Sequence, residues 1–152
     1  PAKLRTFIAK YNEMMLSDDS GLSRLEREMI AVIVSCVNRC VYCITSHSQA
    51  VREFSGDPVL GDILMVNYRE ANLTPRQRAM LDYAWKMTSA PGETGAADRQ
   101  ALADAGLTPE EIFDVNDVIA YFNYTNRMTH GLGMQPNEYY FGRNRLPDPK
   151  AG

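Results

Sequence analysis

The chain has 152 residues, of which 45% are hydrophobic and 23% are charged, and these values are ordinary for one globular domain. The net charge of −3 and the absence of a Lys/Arg run exclude a basic surface that binds nucleic acid. The longest apolar runs are far too short to span a membrane, so we expect neither a nucleic-acid nor a membrane partner.

The first half of the chain reads as a series of helices. Apolar side chains recur at helical spacing over residues 1–16, and the polar run 17–21 interrupts that pattern. Ser23 precedes the next helical pattern and can cap it, with Glu26 three residues later as the capping-box partner. The sequence SGDP at 55–58 predicts the next break, and a short helix should follow around 59–69.

Two later helix starts carry a stronger signal. Residues 74–77 and 108–111 each place Thr at the N-cap, Pro at the first helical position, and Gln or Glu three residues after the Thr. These helices should run to about Ser89 and about Thr129, with one more short helix over 96–105 between them. Two glycines, Gly106 and Gly131, lie where helices should stop.

Together these patterns predict an all-α fold of about seven helices. No segment alternates as a strand does, so we expect a single helical domain over residues 1–140. Residues 141–152 contain two prolines and no helical period, which predicts an extended C-terminal arm. The three cysteines are clustered rather than spread as in a secreted disulfide framework, which favours a reducing, cytoplasmic location. Because the sequence starts with Pro1 and not Met, we expect a processed or trimmed N-terminus.

The cysteines lie in a helical stretch that should contain a break. Residues 23–54 include neither Pro nor Gly, and one helix of that length would be about 48 Å long, which is too long for this domain. We place the break at Asn38-Arg39, because Asn favours helix junctions. A helix that starts near Arg39 has Cys40 in its first turn and Cys43 in its second. There the helix dipole favours a reactive thiolate.

Four side chains of this stretch can act together. Cys43 and His47 are four residues apart, so they share one helix face and can exchange a proton. Cys40 and Cys43 are three apart and near enough for a disulfide. A histidine in this role needs a partner for its other nitrogen, and Glu28 in its apolar surroundings is the candidate. Glu28 and His47 can meet only if the chain folds back near Asn38.

The spacing of Glu28, the motif CVYC at 40–43, and His47 resembles the signature of the alkylhydroperoxidase D (AhpD)-like, carboxymuconolactone decarboxylase superfamily. Residues 25–47 and 121–133 are similar to its peroxidase-related branch, and the resemblance covers about residues 23–140. The resemblance implies an AhpD-like helical domain that assembles into a homo-oligomer, a trimer or hexamer. It also implies an enzyme, a peroxidase that reduces hydroperoxides through its cysteine pair.

The resemblance also implies residue roles. Cys43 would attack the hydroperoxide, Cys40 would resolve the oxidised sulfur into a disulfide, and His47 with Glu28 would form the proton relay. An external dithiol such as a lipoylated protein would reduce the disulfide, and no bound cofactor is needed because sulfur carries the electrons. The sequence departs from the best-known peroxidases, which have a histidine where Tyr42 stands beside the second cysteine. Members of this branch also usually extend further at the N-terminus, so part of the domain would precede Pro1.

Other interpretations of the same residues stay open. The dithiol could serve a disulfide reductase or redox sensor, or it could be a buried pair in a non-enzymatic oligomerisation or binding module. Thiols and a histidine strung along one helix are poor geometry for a metal site. For Cys36, core packing and an alternative disulfide partner are both open, and His130 is interpreted as a partner of the helix dipole. The aromatic residues of the last long helix are expected in the core: Tyr121, Phe122 and Tyr124.

Overall fold

The computed structural model describes residues 1–146, and within them the chain forms eight α-helices and no strand. The helices are α1 Ala2–Tyr11, α2 Arg24–Val37, α3 Val41–Ser55, α4 Leu60–Asn67, α5 Pro75–Ser89, α6 Ala96–Asp104, α7 Pro109–Gly131 and α8 Tyr139–Gly142. A π-helical turn, Asn12–Leu16, continues α1. The prediction of an all-α fold is confirmed, and the helix beyond the expected seven is the four-residue α8.

Helix α2 forms the centre of the core. Ser23 caps it as predicted, since its side chain accepts from the Glu26 N–H and the Glu26 carboxylate accepts from the Ser23 N–H. Every side chain from Met29 to Val34 is at most 1% exposed. Helices α3, α4, α5 and α7 pack around α2. A helix covered on all sides has to be apolar on all sides, which explains its run of aliphatic residues.

The two Thr-Pro helix starts also form as predicted. Thr74 caps α5 and Thr108 caps α7, each with a complete capping box. The predicted stop at Gly131 is two residues early. Gly131 is still helical, and the left-handed backbone that terminates the helix lies at Gly133, where φ is 64°.

The predicted break between α2 and α3 is present as a three-residue turn, 38–40. Arg39 has a left-handed φ of 55°, which takes it out of both helices. As a result α3 begins later than predicted. Cys40 is its N-cap rather than a first-turn residue, and Cys43 lies in its first turn rather than its second.

The C-terminal part of the described chain is fixed to α3. The buried guanidinium of Arg52 donates to the carbonyl of Tyr140 at 2.9 Å and to that of Arg143 at 3.1 Å. Residues 141 and 142 belong to α8, and residues 147–152 of the predicted arm lie outside the described residues. In the part of the chain that the structure describes, no helix is both long enough and apolar enough to cross a bilayer.

Candidate active site

The fold-back at residues 38–40 brings Glu28 of α2 to His47 of α3. His47 Nδ1 lies 2.6 Å from Glu28 Oε2, which is a short, charge-assisted hydrogen bond. The Glu28 side chain is fully buried, and that of His47 is 13% exposed. The two side chains are therefore in contact, which the sequence allowed only if the chain folded back near Asn38.

Arg24 holds the other oxygen of this carboxylate. Its Nε and Nη2 atoms each lie 2.8 Å from Glu28 Oε1, and its guanidinium carbon lies 5.0 Å from the centre of the Phe54 ring. We did not predict Arg24 from the sequence, although its position four residues before Glu28 on one helix is a signal for such a pair. Each oxygen of the buried carboxylate thus has a basic partner.

These partners determine the ionisation of Glu28. Burial alone would raise the pKa of its carboxyl group, because a charge is poorly solvated in the core. The attraction of His47, its hydrogen bond and the Arg24 guanidinium outweigh burial and hold the pKa of Glu28 below its usual value. The carboxylate is therefore charged at neutral pH, although no part of its side chain contacts solvent.

The same contact orients His47. A hydrogen bond from Nδ1–H to the carboxylate leaves Nε2 as the nitrogen that can take up or release a proton. The Phe122 ring, which is in the core as predicted, packs edge-on against the imidazole at a centroid distance of 4.5 Å, whereas Tyr124, which was predicted with it, is 51% exposed. Among residues 1–146, no hydrogen bond joins His47 to either thiol.

The thiol pair lies at the start of α3. Cys40 is 1% exposed and Cys43 is 4% exposed, and both are free thiols. Their sulfur atoms are 2.7 Å apart, so small side-chain movements bring them to the roughly 2.05 Å of a disulfide bond. The sequence predicted this proximity, and Cys43 faces α7, where its sulfur contacts Thr129.

Helix α7 contributes polar groups that we did not predict. Thr129 Oγ1 lies 3.7 Å from Cys43 Sγ. Asn126 is fully buried and accepts a hydrogen bond from Asn38 Nδ2 at 3.0 Å, while its own amide donates to Ser35 Oγ at 3.2 Å. The similarity of residues 121–133 to the peroxidase-related branch was the available signal, because it marked this segment without assigning it a role.

The ionisation of Cys43 differs from the prediction. The helix N-terminus was expected to favour its thiolate, but burial and, after it, the adjacent Cys40 thiol raise the pKa of Cys43 to about 12. Thr129 and Asn126 oppose this increase without overcoming it. The resting thiol is therefore protonated at neutral pH, because its partners are uncharged.

Two other residues considered in the sequence lie apart from this cluster. Cys36 Sγ donates to the Met65 carbonyl at 3.8 Å, and burial raises the pKa of Cys36 to about 11. His130 Nε2 lies 3.1 Å from the Asn38 carbonyl, so it ties the end of α7 to the turn. The described residues contain no group of three His, Cys, Asp or Glu side chains arranged to hold a metal ion.

The model of the carboxymuconolactone decarboxylase family matches residues 2–84, which include Glu28, Cys40, Cys43 and His47. Among curated proteins, none matches this sequence.

Three solved structures share the fold. An uncharacterized peroxidase-related protein from Silicibacter sp. TM1040 is 50% identical, with a TM-score of 0.91 over 95% of this chain and 75% of that one. The alkylhydroperoxidase AhpD core of an uncharacterized peroxidase-related protein from Ralstonia eutropha JMP134 is 40% identical, with a TM-score of 0.92 over 97% and 77%. The apo debrominase Bmp8, at 16% identity and a TM-score of 0.78 over 90% and 72%, is similar in fold alone.

Proposed function

The chain belongs to the carboxymuconolactone decarboxylase family, and on this basis we propose that it is a thiol-dependent peroxidase that reduces hydroperoxides through Cys43 and Cys40. One observation carries the proposal. His47, which forms a buried carboxylate–imidazole pair with Glu28, lies one helical turn after Cys43, and the Cys43 thiol is adjacent to that of Cys40. Burying a charge costs free energy, so packing of the core does not explain this pair. A protonated thiol, in contrast, needs a nearby base in order to react.

The first step oxidises Cys43. His47 Nε2 takes the thiol proton through a bridging water, and the sulfur attacks the outer oxygen of the hydroperoxide ROOH. The S–O bond forms as the O–O bond breaks, and the departing RO⁻ takes the proton back from His47 to become ROH. Cys43 is left as a sulfenic acid. Glu28 stabilises the imidazolium that exists between the two proton transfers.

The second step forms the disulfide. The Cys40 sulfur attacks the Cys43 sulfur, the S–S bond forms, and the sulfenic oxygen leaves as water with the Cys40 proton. An external dithiol then supplies two electrons and two protons to restore both thiols. Because the two cysteines are 1% and 4% exposed, we infer a slender reductant such as a lipoyl arm, and not a cysteine on a protein surface.

Mass spectrometry of the intact protein tests this function. One equivalent of an organic hydroperoxide should lower the mass of the folded protein by about 2 Da as Cys40 and Cys43 join. Cys40→Ser should instead gain about 16 Da on Cys43, and Cys43→Ser should not react at this pair. Cys36→Ser should behave as the unchanged protein. A folded protein that stays unoxidised while a free thiol in the same tube reacts would exclude the peroxidase.

A second candidate is the non-enzymatic module with an unreactive thiol pair. The burial of both thiols and the raised pKa of Cys43 favour it. Slow alkylation does not separate the two candidates, since a thiol that ionises only when a base assists it is also slow to alkylate. Oxidation by hydroperoxide separates them, because the relay acts on that reaction. Turnover with a dithiol but not with hydroperoxide would indicate the disulfide reductase or sensor.

Assembly and location stay predictions. Several apolar side chains are largely exposed in the single chain, among them Val66 at 87% and Leu132 at 67%. Such residues are common in contact surfaces between subunits, which supports the expected trimer or hexamer. The cytoplasmic location continues to rest on the cysteine pattern.

A further inference from the structure

One hydroxyl from α7 reaches the sulfur atom that attacks in the proposed reaction. Thr129 lies near the end of α7 with 8% of its surface exposed, and its Oγ1 is 3.7 Å from Cys43 Sγ. Within residues 1–146 this is the one hydrogen bond of the Thr129 side chain. The hydroxyl proton is therefore not used by any other contact of the described chain.

Thr125, one turn earlier on the same helix, shows the usual alternative. It is equally exposed at 8%, but its hydroxyl donates to the Phe122 carbonyl at 3.2 Å. Threonines inside helices commonly bind backbone carbonyls of the preceding turn in this way. Thr129 faces the thiol instead, so it can donate to sulfur without breaking a bond to its own helix.

The position of Thr129 is fixed by the residues on either side of it. Asn126, three residues earlier on the same face, accepts from Asn38 Nδ2 at 3.0 Å. His130, the next residue, has its Nε2 atom 3.1 Å from the Asn38 carbonyl. These contacts hold the end of α7 against the turn that carries Cys40. The distance between the Thr129 hydroxyl and the Cys43 sulfur is thereby set by the fold.

We propose that Thr129 is a further catalytic residue, whose hydroxyl accepts a hydrogen bond from the resting Cys43 thiol and rotates to donate one to the Cys43 thiolate once His47 has taken the proton. A hydroxyl can act in both senses, and a hydrogen bond to a charged acceptor is stronger than one to a neutral acceptor. The thiolate therefore gains more than the thiol. This inference rests on the proposed function in its choice of Cys43 as the attacking residue.

The titratable groups around Cys43 leave this role to Thr129. Cys40 is the N-cap of α3 and His47 lies on that helix, Glu28 faces His47 from α2, and His130 lies at the end of α7. Of these, Cys40 alone hydrogen-bonds to Cys43 in the described chain. Within residues 1–146 no Lys, Arg or His side chain hydrogen-bonds to the Cys43 sulfur, so hydroxyl and amide groups are the polar partners that can stabilise its negative charge.

Three variants test the proposal. Thr129→Val removes the hydroxyl and keeps the β-branched shape, Thr129→Ser keeps the hydroxyl, and Thr125→Val removes a hydroxyl that does not face the sulfur. The readouts are the site-resolved alkylation rate of Cys43 in the folded protein and its rate of oxidation by a hydroperoxide. Thr129→Ala provides the same comparison if the valine variant does not fold.

We expect the thiolate fraction of Thr129→Val to fall about tenfold at a fixed pH near 9, through loss of a hydrogen bond to a charged group. The alkylation rate should fall only about threefold, because a thiolate of higher pKa is more nucleophilic. Thr129→Ser and Thr125→Val should stay within about twofold of the unchanged protein. Alkylation of folded Thr129→Val at the unchanged rate would overturn the proposal.

The two readouts fail separately. Alkylation uses no hydroperoxide, so a protein that never reduces hydroperoxides but loses alkylation rate in Thr129→Val would exclude the peroxidase and retain the thiolate contact. A protein that reduces hydroperoxides with equal rates in Thr129→Val and in the unchanged chain would retain the peroxidase and exclude this role of Thr129.

Discussion

The pKa values of two buried groups, Glu28 and Cys43, are shifted in opposite directions, although both belong to the same candidate site. Glu28 is fully buried, yet its pKa lies below the usual value because His47 and Arg24 each bind one of its oxygens. Cys43 is 4% exposed, and burial raises its pKa to about 12 because its neighbours are neutral. Burial acts to raise both pKa values, and the sign of each net shift depends on whether charged partners outweigh it.

In the proposed reaction, the proton relay is therefore ready in the resting protein, whereas the nucleophilic thiol is not yet ionised. The carboxylate that stabilises a protonated His47 is already charged in the resting protein. The thiol keeps its proton until a substrate is present, which protects it from unwanted oxidation. Separate variants test the ionisation of Glu28, the ionisation of Cys43, and the turn between α2 and α3.

Glu28→Gln should have the largest effect. The amide keeps the shape and one hydrogen bond but removes the charge that supports a protonated His47, so we expect the rate of hydroperoxide reduction to fall about 1,000-fold. It also leaves Arg24 beside an uncharged buried group, at a cost of about 3 kcal/mol in the free energy of unfolding. Steady-state kinetics and urea denaturation measure the two effects.

The loss of stability at acid pH provides a separate test of the ionisation of Glu28. A carboxyl group whose folded pKa is lowered adds stability that is present above its unfolded pKa of about 4.3 and is lost as the pH falls through the folded pKa. Glu28→Gln should lack this acid-dependent loss, whereas Glu110→Gln, at an exposed position, should keep it. Equal acid dependence in both variants would show that Glu28 is not held ionised.

The alkylation rate of Cys43 tests the other side of the contrast. With a pKa of about 12, its thiolate fraction at neutral pH is about 3,000-fold below that of an unfolded cysteine, and greater nucleophilicity recovers about thirtyfold. We therefore expect native alkylation to be about 100-fold slower than in urea and to increase with pH beyond about 10. A rate that levels off below about pH 8 would restore the activated thiolate predicted from the helix terminus.

Alkaline stability should follow from the same shift. A thiol whose folded pKa is raised adds stability that is fully present below its unfolded pKa of about 8.5 and is lost as the pH rises toward about 12. Cys43→Ser should be less sensitive to alkali than the unchanged protein over this range. Cys36, whose pKa is raised to about 11, supplies a second group of the same kind, so the double variant should be less sensitive still.

Arg24→Gln should have an intermediate effect. Without the guanidinium the pKa of Glu28 rises, so we expect about a tenfold lower rate and an acid limb of the pH–rate profile that moves to higher pH. The unfolding free energy should fall by about 1 kcal/mol, because Arg24 is partly solvated. Arg24→Lys should recover only part of the rate, since an ammonium lacks the planar fork and the stacking on Phe54. An unchanged pH profile would assign Arg24 to packing alone.

Sequence patterns predicted the elements whose causes are local. The capping boxes at 23–26, 74–77 and 108–111 each lie within four residues, and all three form. The contact between Glu28 and His47 could also be predicted from the sequence. One uninterrupted helix over residues 23–54 would be too long for the domain, and Asn38 marked where the chain could fold back. The pKa shifts and the contacts from α7 depend instead on burial and on which residues pack together in the folded chain. Thr129 and Asn126 reach the thiol region from α7, more than eighty residues away, and no local pattern indicates such a contact.

The smallest expected effect is that of a substitution in the turn 38–40, which folds α3 back on α2. Arg39 is exposed and left-handed, a conformation that costs an L-residue about 1 kcal/mol and a glycine nothing. Glycine also loses about 0.5–1 kcal/mol more backbone entropy on folding, so Arg39→Gly should change the unfolding free energy by less than about 0.5 kcal/mol. Arg39→Val should cost about 2 kcal/mol, because a β-branched side chain fits this backbone poorly. Urea denaturation measures both. If glycine instead costs as much as valine, the Arg39 side chain and not its backbone holds Cys40 and Cys43 against α7.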